Sequence, residues 1–423
     1  MSFLIVIVCT FFLIIGIGLE KKIYSPMVIF NFWWGITIFI SGFGFFNFYI
    51  PSPNTYLIML LGIISFNLPL IVLTKKSIKV PPTESSKSLN QNKIKKFLIA
   101  IHTVIIVYLL SLSIEVLRLL LSGVNYSMVR YLYFYGDLRN IYESLATNWV
   151  ITPIIYFSVI LISILFFEDN KNKINKYLFI TTIFCVTLYS FSSGGRGIIL
   201  NSALIFFFSY LMHRKKINLS ISQRFKIRTL LGTLVVGLVT ITIVRTGLSA
   251  NMFSGILRTV VGYFTAPYVY FEKLYEYTSL VQERVLLFGG MFFSGVLDIF
   301  IMGLRFIGLE IKQPSYFLAE YNQTFLLVGD NTLYNAFPNM IFAFLYDFGI
   351  AGVIIGPIMF GVMAKLAYQK MISTNKIAYK GIYIMIGIMI YESVMKWSGT
   401  GFTPWAVILL FLCFNYFSKK QTN

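Results

Sequence analysis

Long apolar runs separated by short polar connections fill this chain almost from end to end. The runs fall at about 3–19, 26–47, 54–73, 97–121, 149–167, 175–192, 197–212, 227–246, 338–364, 378–395 and 402–418. Each approaches the roughly 20 residues that an α-helix needs to cross a bilayer. They are continuous rather than alternating, so they predict helices and not the strands of a membrane barrel. The pattern predicts an all-α polytopic membrane protein with about 11 transmembrane helices, rising to about 13 if two further apolar stretches also cross. The first run has no basic segment before it and no small-residue cleavage site after it. It reads as a retained first helix, not a removed signal. No internal repeat is visible, which weighs against repeat-built transporter folds. The whole of 1–423 reads as a single integral membrane domain.

Composition supports this picture. Hydrophobic residues make up 57% of the chain and charged residues only 12%, too few to cover a soluble protein of this length. The net charge of +19 invites a nucleic-acid reading, but the location of the charge excludes it. Lysines gather at 21–22, 75–96, 171–176, 215–226, 365–380 and 419–420, which are every second connection, beginning after the first run. The positive-inside rule therefore places the N-terminus outside and the C-terminus in the cytoplasm. On that assignment the cytoplasmic segments hold 21 lysines, 3 arginines and 4 acids, and everything else holds 3 lysines, 8 arginines and 12 acids. The basic excess is topology signal plus attraction to anionic lipid.

The same sorting separates the two basic residue types. Arg118, Arg130, Arg139, Arg196, Arg245, Arg258, Arg284 and Arg305 all fall on the outer side or within the membrane. A topology rule alone does not divide lysine from arginine. Arginine binds phosphate or carboxylate through a planar fork and cannot be neutralised at low dielectric. The outer face is thus the expected functional surface, with an anionic ligand.

Two outer connections are long. The one at 122–148 is rich in tyrosine. The other, at 247–337, carries apolar stretches at 255–271 and 285–309, the second broken by Gly289, Gly290, Gly295, Asp298, Gly303 and Arg305. Both are expected to be re-entrant or interfacial helices, because the segment EKLYEYTSLVQER between them is slightly acidic, which argues against a cytoplasmic loop.

The sharpest local feature is YSFSSGGRGIILN at 189–201. The run that follows, about 16 residues at about 1.5 Å each, falls short of the roughly 30 Å hydrocarbon core. Arg196 is therefore expected to sit recessed below the outer surface. Gly194, Gly195 and Gly197 would leave backbone N–H groups open as an anion nest at a helix N-terminus. An ordinary turn with a snorkelling arginine reads the same letters. Arg245 and Arg258 follow the next run at the same rim and could share the ligand.

Asp347 falls some ten residues into the run at 338–364, where an ionised carboxylate needs a cavity or an arginine partner. Glu392 lies near the outer end of its run and reads as an interfacial acid or a site residue. Arg130, Tyr131, Tyr133 and Tyr135 mix aromatic faces with a charge, as a sugar site or an interfacial belt does. Glu115 and Arg118 are spaced to pair with each other. Both histidines, His102 and His213, fall toward the cytoplasmic half, so histidine chemistry is excluded from the outer face. Cys9, Cys185 and Cys413 lie inside apolar runs with no metal or disulfide spacing. No nucleotide, hydrolase or metalloprotease motif is present, and no metal or cofactor is expected.

An outer SGGRG between two spans, arginines after the following span, and NAFPNMIFAFLYDFGIAGVIIGPIMFGVM at 335–363 together resemble the O-antigen and capsule repeat-unit polymerases. The topology is similar over the whole length, and the motifs over about 190–215 and 330–365. The resemblance implies a bacterial inner-membrane glycosyltransferase of the C-type architecture. Such an enzyme joins repeat units carried on undecaprenyl pyrophosphate at the outer face, with membrane lipids and a chain-length regulator as its other partners. It implies pyrophosphate binding by Arg196, Arg245 and Arg258, and Asp347 or Glu392 as a base for the acceptor hydroxyl. The related ligases use an outer histidine, which this chain lacks, so polymerisation is the expected activity. A flippase for lipid-linked oligosaccharides and a non-enzymatic polysaccharide assembly protein are the alternatives.

Overall fold

The computed structural model describes residues 1–75, 89–136, 138–168, 173–213, 232, 252–280, 286–322 and 324–419. The predicted span at 227–246 lies outside them. In chain order the helices are α1 Ser2–Glu20, α2 Pro26–Ser41, α3 Pro53–Val72, α4 Leu89–Leu121, α5 Tyr126–Tyr135, α6 Ile141–Ala146, α7 Thr152–Glu168, α8 Lys173–Ser193 and α9 Gly197–His213. They continue with α10 Met252–Leu280, α11 Ser294–Phe306 and α12 Pro314–Asn322. A two-stranded hairpin follows, β1 Leu326–Gly329 against β2 Thr332–Tyr334. The last helices are α13 Met340–Phe348, α14 Gly352–Thr374, α15 Ile377–Glu392 and α16 Phe402–Lys419.

The chain is a multi-pass membrane protein. Among the described residues, six helical stretches are long and apolar enough to cross a bilayer: Ser2–Glu20, Pro53–Val72, Asn92–Leu121, Ile141–Glu168, Lys173–Ser193 and Met340–Thr374. Pro26–Ser41, Gly197–His213 and Phe402–Ser418 are shorter apolar helices. Neither α10 nor α11 is among these stretches.

Two predicted spans change shape. The run at 26–47 stays helical only to Ser41, because Gly42 and the left-handed Gly44, Phe46 and Asn47 turn the aromatic sequence after it into a loop. The run at 338–364 is two helices. α13 stops at Phe348, Gly349 takes a left-handed φ of 59°, and a single turn Gly349–Ala351 leads into α14. Only glycine fits at 352, where a Cβ would strike the Phe344 carbonyl. Asp347 therefore precedes the 23-residue helix α14 rather than lying within it.

Two compact units divide the chain. The first contains 1–81, 253–374 and 386–405. Here glycines let helices approach closely, as is usual where no hydrophobic effect drives helix association. Gly16 faces Met27, Gly35 faces Cys9, and Gly361 meets the Phe66 carbonyl and Pro69. Phe30 stacks between Phe66, at 3.8 Å, and Trp34, at 5.5 Å. Beside it Asn31 and Asn67 exchange amide hydrogen bonds of 2.7 and 3.0 Å. Lys365, almost fully buried, pairs with Glu20 and also donates to Thr74 at 2.7 Å. All three residues sit at helix positions that the charge pattern assigns to the cytoplasmic end.

The second unit contains 82–252, 375–385 and 406–423. α4 packs along α8, and α7 lies against α8 and α9. His102 is fully buried between Ser158 Oγ at 2.9 Å and Thr181 Oγ1 at 3.0 Å, a satisfied core histidine. Lys380 pairs with Glu168, which also meets His213 at 3.5 Å. The ring of Phe411 fills the space where a Cβ on Gly381 would go. A π turn at Thr147–Ile151 joins α6 to α7.

Candidate functional site

The second unit builds its site around the SGGRG turn. α8 ends at Ser193 because Gly194 adopts a left-handed φ of 61°, the usual way to end a helix. Ser190 Oγ donates to the Gly195 carbonyl at 2.7 Å, and Ser193 Oγ accepts from the Gly195 N–H at 3.2 Å. That N–H is thus already engaged, and the expected nest is narrower than three glycines suggest. Arg196 stands at the start of α9, its carbonyl accepting from Leu200 N at 3.1 Å, and its side chain is half-buried. Gly197 faces open space. α9 has 17 residues, a length of about 25 Å, so the short helix expected after Arg196 is present.

The tyrosine-rich segment folds onto this turn. Asn125 caps α5 by accepting from Met128 N at 2.8 Å. Tyr126 and Val129 pack with Val116, flanked by Leu119, Leu120 and Phe191. Tyr126 OH donates to the Phe191 carbonyl at 2.7 Å. This docking brings Arg130 to Gly194, whose Cβ position would lie 3.3 Å from Arg130 Cβ. Arg130 of α5 therefore packs against Gly194, two residues before Arg196.

The tyrosines of α5 divide. Tyr131 is 55% exposed, whereas Tyr133 is 2% exposed. The Tyr133 ring is covered by the guanidinium of Arg139, 3.7 Å from its centroid, so it offers no face to a sugar. The side chain of Tyr135, like the whole of Arg245, lies outside the described residues. Arg139 counts in the sequence among the outer arginines but has no individual role there. It is buried at 8% exposure and donates from Nε and Nη2 to the Tyr133 carbonyl at 3.1 and 2.9 Å. Among the described residues its Nη1 and the Tyr133 hydroxyl have no hydrogen-bond partner. Burial pushes the Tyr133 phenol above its ordinary range, which keeps the proton on the oxygen. The only hint in the sequence was an arginine two residues after an acid in an aromatic loop.

The first unit holds the two candidate acids. Asp347, 1% exposed, pairs with no arginine among the described residues. Its Oδ1 accepts from Met291 N at 2.7 Å and its Oδ2 from Phe292 N at 2.8 Å. Backbone bonds from Leu287 to Tyr346 and from Phe288 to Asp347 hold the two segments together. The carboxylate thus anchors the glycine-broken turn before α11, satisfying two N–H groups with charge-assisted bonds. Trp397 Nε1 donates to the Phe292 carbonyl at 3.0 Å. Its neighbour Ser398 donates to Glu392 Oε2 at 2.5 Å. Glu392, 13% exposed, also lies 3.7 Å from Lys396 Nζ. The two acids, remote in sequence, are joined through one short hydrogen-bonded path.

Arg258 lies elsewhere in this unit. Its Nη2 donates to Thr332 Oγ1 at 2.6 Å. With Phe46, Asn47, Asp330 and Asn331 it lines an open recess of about 420 Å³. The carboxylate of Asp330 shares that recess and offsets the guanidinium. No protein-family model matches the chain, and neither a curated protein nor a solved structure matches it.

Proposed function

We propose that the protein is a glycosyltransferase that polymerises oligosaccharide repeat units carried on undecaprenyl pyrophosphate, at the outer face of a bacterial inner membrane. The observation that carries this reading is the seating of Arg130 of α5 against Gly194, two residues before Arg196 at the turn that opens α9. The separation of arginine from lysine along the chain and the resemblance at 190–215 and 330–365 add to it.

In this reading an acceptor hydroxyl attacks the anomeric carbon of the donor sugar. A new glycosidic C–O bond forms, the bond from that carbon to the phosphate oxygen breaks, and undecaprenyl pyrophosphate leaves with the electron pair. Negative charge grows on the pyrophosphate, and arginine aimed there lowers the barrier without needing a metal. Arg196 and Arg130 take this role, with Arg245 as a third candidate. The acceptor proton goes to a carboxylate. Glu392 suits that step better than Asp347, because it is half-buried whereas Asp347 is buried among backbone N–H groups. Tyr131, exposed on α5, is the candidate for stacking on a sugar face.

A transport reading would use polar groups through the bundle. Asn31 and Asn67 bond to each other, as do Ser163 and Ser209, so these groups serve packing. Deleting the gene tests the proposal. It predicts single repeat units at the outer face and no long chains. Failure of single units to reach the outer face would indicate flipping instead.

A further inference from the structure

The recess at Arg258 is built by three segments that are far apart in sequence. Phe48 bridges Gly329, Tyr49 N donates to the Val328 carbonyl at 2.9 Å, and Asp330 N donates to the Asn47 carbonyl at 3.0 Å. A Cβ on Gly329 would strike the Asn47 carbonyl, so the loop after α2 and the β1–β2 hairpin meet backbone to backbone. Thr332 ties in Arg258 from α10.

The backbone here is unusual. Six non-glycine residues among those described have a left-handed φ, and three of them, Phe46, Asn47 and Asn331, line this recess. A left-handed φ of 59° on a phenylalanine is rare. Strain of this kind persists where the surroundings impose it, and it gathers at ligand clamps.

The lining has a definite chemistry. Asn47 and Asn331 offer amides that both donate and accept, Asp330 accepts, Arg258 donates and Phe46 supplies one ring. One cation and one anion leave the recess electroneutral, so a phosphate at Arg258 would also face the Asp330 carboxylate. One aromatic ring is too little for an acyl chain. Planar polar groups around a single ring match a sugar, whose vicinal hydroxyls donate and accept and whose C–H face is apolar. The volume of about 420 Å³ lies in the lower part of the roughly 300–1,000 Å³ range of small-molecule sites.

We propose that this recess is a sugar-binding subsite that holds one neutral pyranose unit, with Asn47, Asp330, Asn331 and Arg258 on its hydroxyls and Phe46 against its C–H face. It rests on the polymerase reading for the source of the sugar, the repeat unit itself. Arg258 then belongs to glycan recognition rather than to the pyrophosphate.

The left-handed backbone supplies a clean test. Phe46→Gly and Asn331→Gly remove the side chains while keeping, and easing, the backbone geometry, so both variants should fold at least as well as the parent. The probe is the lipid-free repeat-unit oligosaccharide released by mild acid from the source organism's own surface polysaccharide. Binding is read by saturation-transfer NMR on the full chain in lipid nanodiscs, and chain growth is assayed in parallel. The expected result is binding by the parent and at least about tenfold weaker binding by each glycine variant at unchanged thermal midpoint. Equal binding by parent and variants overturns the subsite, as does a parent that extends chains without binding the free glycan. A parent that binds through Phe46 and Asn331 yet never extends a chain upholds the subsite and sinks the polymerase reading.

Discussion

Asp347→Ala tests the assignment of this acid to structure rather than chemistry. The substitution removes the acceptor of two buried N–H groups, those of Met291 and Phe292, now at 2.7 and 2.8 Å. Each orphaned buried donor costs about 1–3 kcal/mol, so the first unit should lose about 2–6 kcal/mol. Asn keeps one acceptor oxygen and turns an amide N–H₂ toward the other N–H, so Asp347→Asn should lose roughly half of that. Cys9 and Cys185 are buried and Cys413 is exposed. In a Cys413→Ala background, a thiol-reactive dye therefore reports the first unit through Cys9 and the second through Cys185. Heating in detergent with mass-spectrometric identification of the labelled cysteine should show Cys9 reacting at lower temperature in Asp347→Ala. An unchanged Cys9 midpoint would refute the anchoring role. An Asp347→Asn protein that keeps its midpoint and loses chain growth would move the base from Glu392 to Asp347.

Arg139→Gln removes a fork that donates twice to the Tyr133 carbonyl and covers its ring. The loss should be about 1–3 kcal/mol, read as earlier labelling of Cys185. Gly194→Ala forces a Cβ into a left-handed residue, which costs roughly 1–2 kcal/mol, and presses it on Arg130. It should lower chain growth more than Gly197→Ala, whose Cβ meets nothing within 4 Å. Reporter fusions should place 80–92 in the cytoplasm and 270–280 outside, and the reverse would overturn the assignment of the arginines to the outer face.

The helices were readable because the bilayer sets their length and composition, and α1, α3, α8, α9 and α16 fall where the apolar runs predict. The loop at 42–48 was not, because four phenylalanines hid the two glycines that follow α2. The hairpin at 326–334 carries a local signal in LLVGDNTLY, a two-residue Asp-Asn turn between apolar strands. It is easily lost inside a long connection. The break at 349–351 left its mark as paired glycines, yet hydropathy averaged across it. At the site, the SGGRG turn and the helix it opens were legible from spacing alone. The approach of Arg130 to Gly194 was not, since it depends on how α5 docks. Asp347 was expected to face a cavity or an arginine, whereas its partners are backbone N–H groups, which no sequence pattern displays. Tyr133 and Tyr131 look alike in sequence and differ only in which face of α5 is buried.

The central claim is that Arg196 stabilises a departing pyrophosphate. Its most direct measurement is chain growth by the purified protein in liposomes supplied with undecaprenyl-pyrophosphate-linked repeat units. The parent should release free undecaprenyl pyrophosphate and extend chains beyond one unit. Arg196→Ala, inserted to the same level with the same Cys185 midpoint, should be slower by about 10²–10³-fold, as expected for loss of a charge-stabilising donor. Chain growth at the parental rate in that variant would contradict the account.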